Sequence, residues 1–192
     1  MGLEIERRFL VRGEGWRQHV GWRAHLEQAY LVGSRDGLTV RVRRSDRAQA
    51  LQADGEPGGQ AWLTLKAPAP GGRDGLVRQE FEYAIPLEDA AALMALAPHR
   101  LAKWRHGLEL PGGDWVLDVF EGENAPLVLA EVELASAEQP VPLPSWCVHE
   151  VTGRPELSNA ALAREPLSRW SVERRQSLLA WLGEADVTSD TI

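Results

Sequence analysis

The chain has 192 residues, 44% hydrophobic and 26% charged, with 21 basic against 28 acidic residues and a formal charge of -7. A chain of this size can bury a self-sufficient core, and its composition is that of an ordinary globular protein. The acidic balance excludes a general nucleic-acid binder and a protein adsorbed on anionic membranes, because both need basic surface. Cys147 is the single cysteine, which excludes an intrachain disulfide and a Cys-cluster metal site and suits a reducing compartment. The opening MGLEIERRFLV carries charge where a secretory leader would be apolar, and no apolar run nears the roughly 18 residues of a membrane span. A cytoplasmic location is therefore expected.

Period-2 alternation between Gly/Pro clusters predicts eight strands in chain order. They are Leu3–Val11, Ala29–Val32, Leu38–Arg44, Ala61–Ala67, Val77–Ile85, Leu101–Glu109, Trp115–Glu121 and Val128–Leu134. The spacing is that of hairpins and points to a mostly antiparallel barrel or sandwich. Helices are predicted over Trp16–Leu26, Pro86–Leu96, Asn159–Ala163 and Ser171–Leu182. Pro86 followed by Glu88 and Asp89 suits a helix start, Ser171 is an N-cap and Gly183 a C-cap. Residues 54–59 and 70–75 read as long hairpin loops and 184–192 as a polar tail.

What alternates with the apolar positions is charge. Glu4, Glu6 and Arg8 share one face of the first strand; Arg41 and Arg43 share one face of the third. Lys66, Arg78 with Glu80 and Glu82, Lys103 with Arg105, Asp118, and Glu131 with Glu133 continue the pattern. A sheet with one wet face also alternates apolar and polar residues. Here, however, the charged faces carry almost no Ser, Gln or Asn, and like charges sit at i, i+2, where they repel. Repetition in seven segments points to a charged surface facing inward, neutralised by ions or substrate. Carboxylates from separate strands suit a hard cation, and converging Arg and Lys suit the oxygens of a polyanion. Together they form the machinery of phosphoryl transfer. No Walker loop or GxGxxG is present, so a nucleotide site at a helix terminus is not supported.

These residues carry a likeness. EIERRFLV (4–11) resembles the Glu-x-Glu-x-Lys-Phe signature of the CYTH superfamily, the triphosphate tunnel metalloenzymes. The likeness continues in order through QAYL (28–31), TVRVR (39–43), LTLK (63–66), EFEYAIP (80–86), KWRH (103–106), WVLDVFEGEN (115–124), LAEVEL (129–134), PSWCVHEVTG (144–153) and SNAALA (158–163). The resemblance implies an α+β, mostly β fold: an eight-stranded antiparallel closed β-barrel forming a tunnel open at both ends, with helices packed outside. It implies a CYTH domain over 1–163, a C-terminal helix packed on the barrel over 164–182 and a polar tail over 183–192.

It also implies divalent-metal-dependent hydrolysis of inorganic triphosphate or a small organic triphosphate. Adenylate cyclase and thiamine triphosphatase are the enzymatic alternatives, and a non-catalytic polyphosphate or nucleotide binder is the alternative of another class. Carried across, the catalytic set is Glu4, Glu6, Arg8, Glu80 and Glu82. The phosphate-binding set is Arg8, Arg41, Arg43, Lys66, Arg78, Lys103 and Arg105. Glu4, Glu6, Asp118, Glu131 and Glu133 are the ligands for Mg²⁺ or Mn²⁺. The partners implied are a small triphosphate, no nucleic-acid polymer and no membrane, with a homodimer left open. One position departs from the signature: its lysine is Arg8 here, which keeps the charge but cannot give up its proton. His106 faces away from Lys103 and Arg105 by alternation and reads as outer packing. Cys147 reads as a structural thiol, and Trp16, Trp22, Trp170 and Trp181 as packing on the barrel's apolar outer face.

Overall fold

The structure is a computed structural model that describes residues 2–33, 38–46, 59–68 and 77–183, except for the side chains of 2–4 and 77–78. Residues 54–58 of the first long loop, all of the loop at 70–75 and all of the tail after Gly183 lie outside the described residues. The elements are β1 Gly2–Val11, β2 Val20–Gly33, β3 Thr39–Asp46, β4 Gln60–Pro68, β5 Val77–Ile85, α1 Leu87–Leu96, β6 His99–Leu108, β7 Asp114–Phe120, β8 Val128–Glu133, β9 Cys147–Glu150, α2 Asn159–Arg164 and α3 Val172–Trp181. The fold is a mostly β antiparallel sheet with a few helices, as expected.

Two readings of the strand plan need correction first. The first is the strand count and closure. The sheet has nine strands in the order β5-β4-β3-β2-β6-β7-β8-β1-β9, not an eight-stranded closed ring, and β1 additionally pairs with β5. β1 meets β5 at Gly2–Ile5 and β8 at Glu6–Leu10, and β9 pairs with its end at Phe9–Val11. An edge left open at Phe9–Val11 would expose unpaired backbone groups, and β9 satisfies them. The second is the helix predicted over Trp16–Leu26. Only Gly15–His19 is helical, as a 3-10 turn, and β2 begins at Val20. Ala24, Leu26, Gln28 and Tyr30 form one buried face of β2. They are uncharged, so the pattern that marks the other strands is missing here.

Apart from β2 and the short β9, each strand sends charge to one face and mostly apolar side chains to the other. On the apolar face of β1, β7 and β8, Phe9, Trp115, Leu117, Ala130 and Val132 are covered by Trp16 and Trp146. Ala29, Val42 and Ala61 are covered by Ala90 and Met94 of α1. Each fully buried large apolar side chain contributes about 1.5–3 kcal/mol relative to exposure, so these layers hold the sheet's shape. Trp22 lies across the strands opposite Gly107, where a Cβ would stand 2.0 Å from its indole nitrogen; any side chain at 107 would expel it.

The charged face ends in an apolar floor. Leu10, Leu101, Phe120 and Leu129 continue the faces of Arg8, Lys103, Asp118 and Glu131 by period two. They cluster with Leu157, Leu162, Leu167, Trp170 and Leu178 from the C-terminal segments. Trp170 therefore packs at the end of the charged face rather than on the outer one, and this end is filled rather than open. Helix α3 starts at the Ser171 cap, whose Oγ accepts from the Arg174 amide, and is followed by Gly183 at φ +72°.

Candidate active site

Burial on the charged face shows that it is the concave one. Lys103 and Asp118 are fully buried, and Arg8, Arg41 and Glu131 nearly so. Ionised side chains are rarely placed this way unless paired, and here the pairing is dense.

On β6, β7, β8 and β1 the charges form one closed network. Arg105 Nε and Nη2 donate to the two oxygens of Asp118 at 2.8 and 2.7 Å, and Nη2 also reaches Glu131 at 2.7 Å. Lys103 Nζ donates to Asp118 Oδ2 at 2.5 Å and to Asn159 Oδ1 at 3.0 Å. Arg8 Nε donates to Glu131 at 3.1 Å and its Nη2 to the Leu157 carbonyl at 2.8 Å. Burial disfavours charge on Asp118 and Glu131, yet Arg105 with Lys103 on the first, and with Arg8 on the second, holds both below the usual carboxylate range. Burial also works against Arg105, but the Asp118 and Glu131 carboxylates outweigh it and raise its pKa. Lys103 gains less from its neighbours than it loses to burial, and its pKa falls to about 8.

On β3, β4 and β5 the network is looser. Arg43 Nη2 donates to Glu82 at 2.8 Å, while Arg41 Nη2 stands 3.5 Å from Glu82 and 3.8 Å from Glu80. Lys66 Nζ lies 3.2 Å from Glu80. Thr64, fully buried between the strands, accepts from Arg41 and donates to Glu82. The Nε atoms of Arg41 and Arg43 are buried with no hydrogen-bond partner among the described residues. Burial, and then the like charge of Arg41, lower the Arg43 pKa to about 10. The guanidinium is short of counter-charge. Trp62, its partner across the strands, lies under it at 4.8 Å.

The predicted residues therefore divide. Arg8, Lys103, Arg105, Asp118 and Glu131 come together, as do Arg41, Arg43, Lys66, Glu80 and Glu82. Glu6 stands directly opposite Glu133 on β8, and the backbone places Glu4 opposite Arg78; the side chains of Glu4 and Arg78 lie outside the described residues. Among the described residues no three acids or histidines are grouped closely enough to hold a metal as they stand. His106 packs against Trp16 on the apolar face at 4.9 Å, and burial lowers its pKa. Cys147 lies half-buried on β9, its thiol pushed up to about 12 by burial. Thr64 and Asn159 escape sequence reading because they are neutral. Thr64 could have been found from its place between Trp62 and Lys66 on an inward face; Asn159 lies in the SNAALA stretch of the likeness but outside the charge pattern.

A sheet whose concave face is built from Arg, Lys, Glu and Asp defines a class. The chain belongs to the CYTH domain family, whose profile matches residues 2–162. Two curated relatives are inorganic triphosphatases. That of Acetivibrio thermocellus is 31% identical over 86% of this chain and 96% of its own, and that of Nitrosomonas europaea is 35% identical over 83% and 96%. The crystal structure of an inorganic triphosphatase superposes with a TM-score of 0.55 at 31% identity, covering 85% of this chain and 95% of that one. Among the described residues no helix is long and apolar enough to cross a membrane.

Proposed function

We propose that the protein hydrolyses the terminal phosphoanhydride bond of a small triphosphate, inorganic triphosphate foremost, on the concave face of its sheet. The carrying observation is the pair Arg41 and Arg43, whose buried Nε donors have no hydrogen-bond partner among the described residues. Buried donors are normally satisfied, and phosphate oxygens satisfy guanidinium donors well. The curated relatives' activity and the β1–β5 pairing, which supports a tunnel-like enclosure, agree with this reading.

In the proposed reaction water adds to the terminal phosphorus while the bond to the bridging oxygen breaks, giving orthophosphate and pyrophosphate. Arg41, Arg43 and Lys66, with Arg78, hold the phosphate chain and offset charge in the transition state. Glu80 and Glu82 orient these cations from the neighbouring strand. Arg8, Lys103 and Arg105 line the second half of the site.

CYTH triphosphatases generally depend on a divalent metal. The donor set fits Mg²⁺ or Mn²⁺: hard carboxylate oxygens, with Glu6 and Glu133 opposed across two strands and Glu4 two residues from Glu6. Asp118 and Glu131 fit less well, because both oxygens of each already accept from Lys103, Arg105 or Arg8. The ion, when bound, would neutralise phosphate charge and lower the pKa of water. The test is a panel of tripolyphosphate, ATP and thiamine triphosphate with and without Mg²⁺ or Mn²⁺, assayed for phosphate, pyrophosphate and cyclic AMP. Phosphate release from tripolyphosphate that EDTA abolishes is expected. Release that EDTA leaves intact would refute the metal requirement, and tight binding without turnover would refute hydrolysis.

A further inference from the structure

A single cross-strand row runs through the middle of the open half. Thr64 on β4 stands opposite Arg41 of β3 on one side and Glu82 of β5 on the other. Its side chain is fully buried and its hydroxyl works in both directions. Oγ1 accepts from Arg41 Nη2 at 3.1 Å and donates to Glu82 Oε2 at 2.8 Å. The other Glu82 oxygen accepts from Arg43 at 2.8 Å. Arg41 and Glu82 are thereby held 3.5 Å apart and joined through the hydroxyl. Glu80 stands further from Arg41, at 3.8 Å, and Tyr30 faces it from β2.

The closed half shows the same cross-strand arrangement without a spacer. Arg105 on β6 stands directly opposite Asp118 on β7, and two hydrogen bonds of 2.8 and 2.7 Å join them. Its Nε and Nη2 are thus committed to carboxylate. Arg41 is not committed in this way: its buried Nε has no hydrogen-bond partner among the described residues.

We propose that Thr64 is a positioning residue of the site: its hydroxyl, set between Arg41 and Glu82, keeps the guanidinium from closing on the carboxylate and so leaves Arg41 donors for the oxygens of a triphosphate. This rests on the reading of the concave face as a triphosphate site and extends it to a neutral residue that acts through Arg41. Without the hydroxyl, Glu82 Oε2 loses its donor and Arg41 Nη2 its acceptor. A direct ion pair is then the arrangement that satisfies both, and phosphate would have to break it.

Calorimetry with tripolyphosphate in the absence of divalent metal, read together with Tm, compares Thr64→Val, Thr64→Ser and Thr64→Val combined with Arg41→Ala. Thr64→Val keeps the branched shape and removes the hydroxyl, and its Kd is expected to rise about threefold to tenfold. Thr64→Ser keeps the hydroxyl and should bind as the wild type does, even where its Tm falls. In the Arg41→Ala background Thr64→Val should cost nothing further, because the group it acts through is gone. A purely structural Thr64 predicts instead that binding follows Tm and that the loss persists without Arg41. Wild-type or tighter binding by Thr64→Val, or an undiminished loss in the Arg41→Ala background, would overturn the proposal. Should Thr64→Val not fold, Thr64→Ala removes the same hydroxyl and is held to the same outcomes. A wild-type protein that does not bind tripolyphosphate would overturn the substrate reading and this inference with it. Equal binding by the wild type and Thr64→Val overturns this inference alone.

Discussion

The two halves of the concave face hold similar charges in different states. On β6, β7, β8 and β1 every carboxylate oxygen of Asp118 and Glu131 is taken, at 2.5 to 3.1 Å, by Arg8, Lys103 or Arg105, the first two themselves buried. On β3, β4 and β5 the ion pairs of Arg41, Arg43 and Lys66 with Glu80 and Glu82 stretch from 2.8 to 3.8 Å, and among the described residues the Nε donors of Arg41 and Arg43 are left over. The electrostatics follow the geometry. Arg105, set against two carboxylates, has its pKa raised; Arg43, beside another arginine, has its pKa lowered. A closed network is preassembled and gives the site its shape. An open one has donors to offer, and that is where an anion gains most.

Removing one partner from the closed half should cost the most. Asp118→Ala strands Lys103 and Arg105 without their shared carboxylate. Breaking a buried pair in this way costs about 3–5 kcal/mol, so a large loss in denaturant midpoint is expected. A midpoint near that of the wild type would show that the closed half is not structural. A smaller effect separates the halves by pH. Burial favours the neutral form of Lys103, so in the folded protein its charge is lost as pH rises through about 8, against 10.5 as the ordinary value. Because the folded pKa is the lower one, the cost of burying this charge is present below pH 8 and relieved between about 8 and 10.5. Stability from this group thus rises with pH while the charge offered to substrate falls. The expected outcome is an alkaline limb in kcat/KM beginning near pH 8, absent in Lys103→Arg, whose side chain stays charged. A limb that persists in Lys103→Arg belongs to another group.

Much of this was legible in the sequence, for physical reasons. Charges of like sign at i, i+2 in Arg41/Arg43, Lys103/Arg105 and Glu131/Glu133 announced an inward charged face, and the structure buries it. Strand β2 was half concealed because Leu26, Gln28 and Tyr30 are uncharged and Trp16–Leu26 also fits a helical stripe. β9 was concealed because four residues carry too little alternation to read. Asp118 illustrates a different limit. Its residue type suits a metal ligand or a cation anchor, and only the position of Arg105 and Lys103 around it separates the two. Asn159 and Thr64 were silent because neutral side chains leave no charge pattern.

The central claim is that a triphosphate binds to the open half, and calorimetry with tripolyphosphate in the absence of divalent metal tests it most directly. Arg41→Ala and Arg43→Ala should each weaken binding by about 1.5–3 kcal/mol, roughly 10- to 150-fold, as expected for losing hydrogen bonds to a charged group. Isotherms for both variants that overlay the wild type would contradict the account.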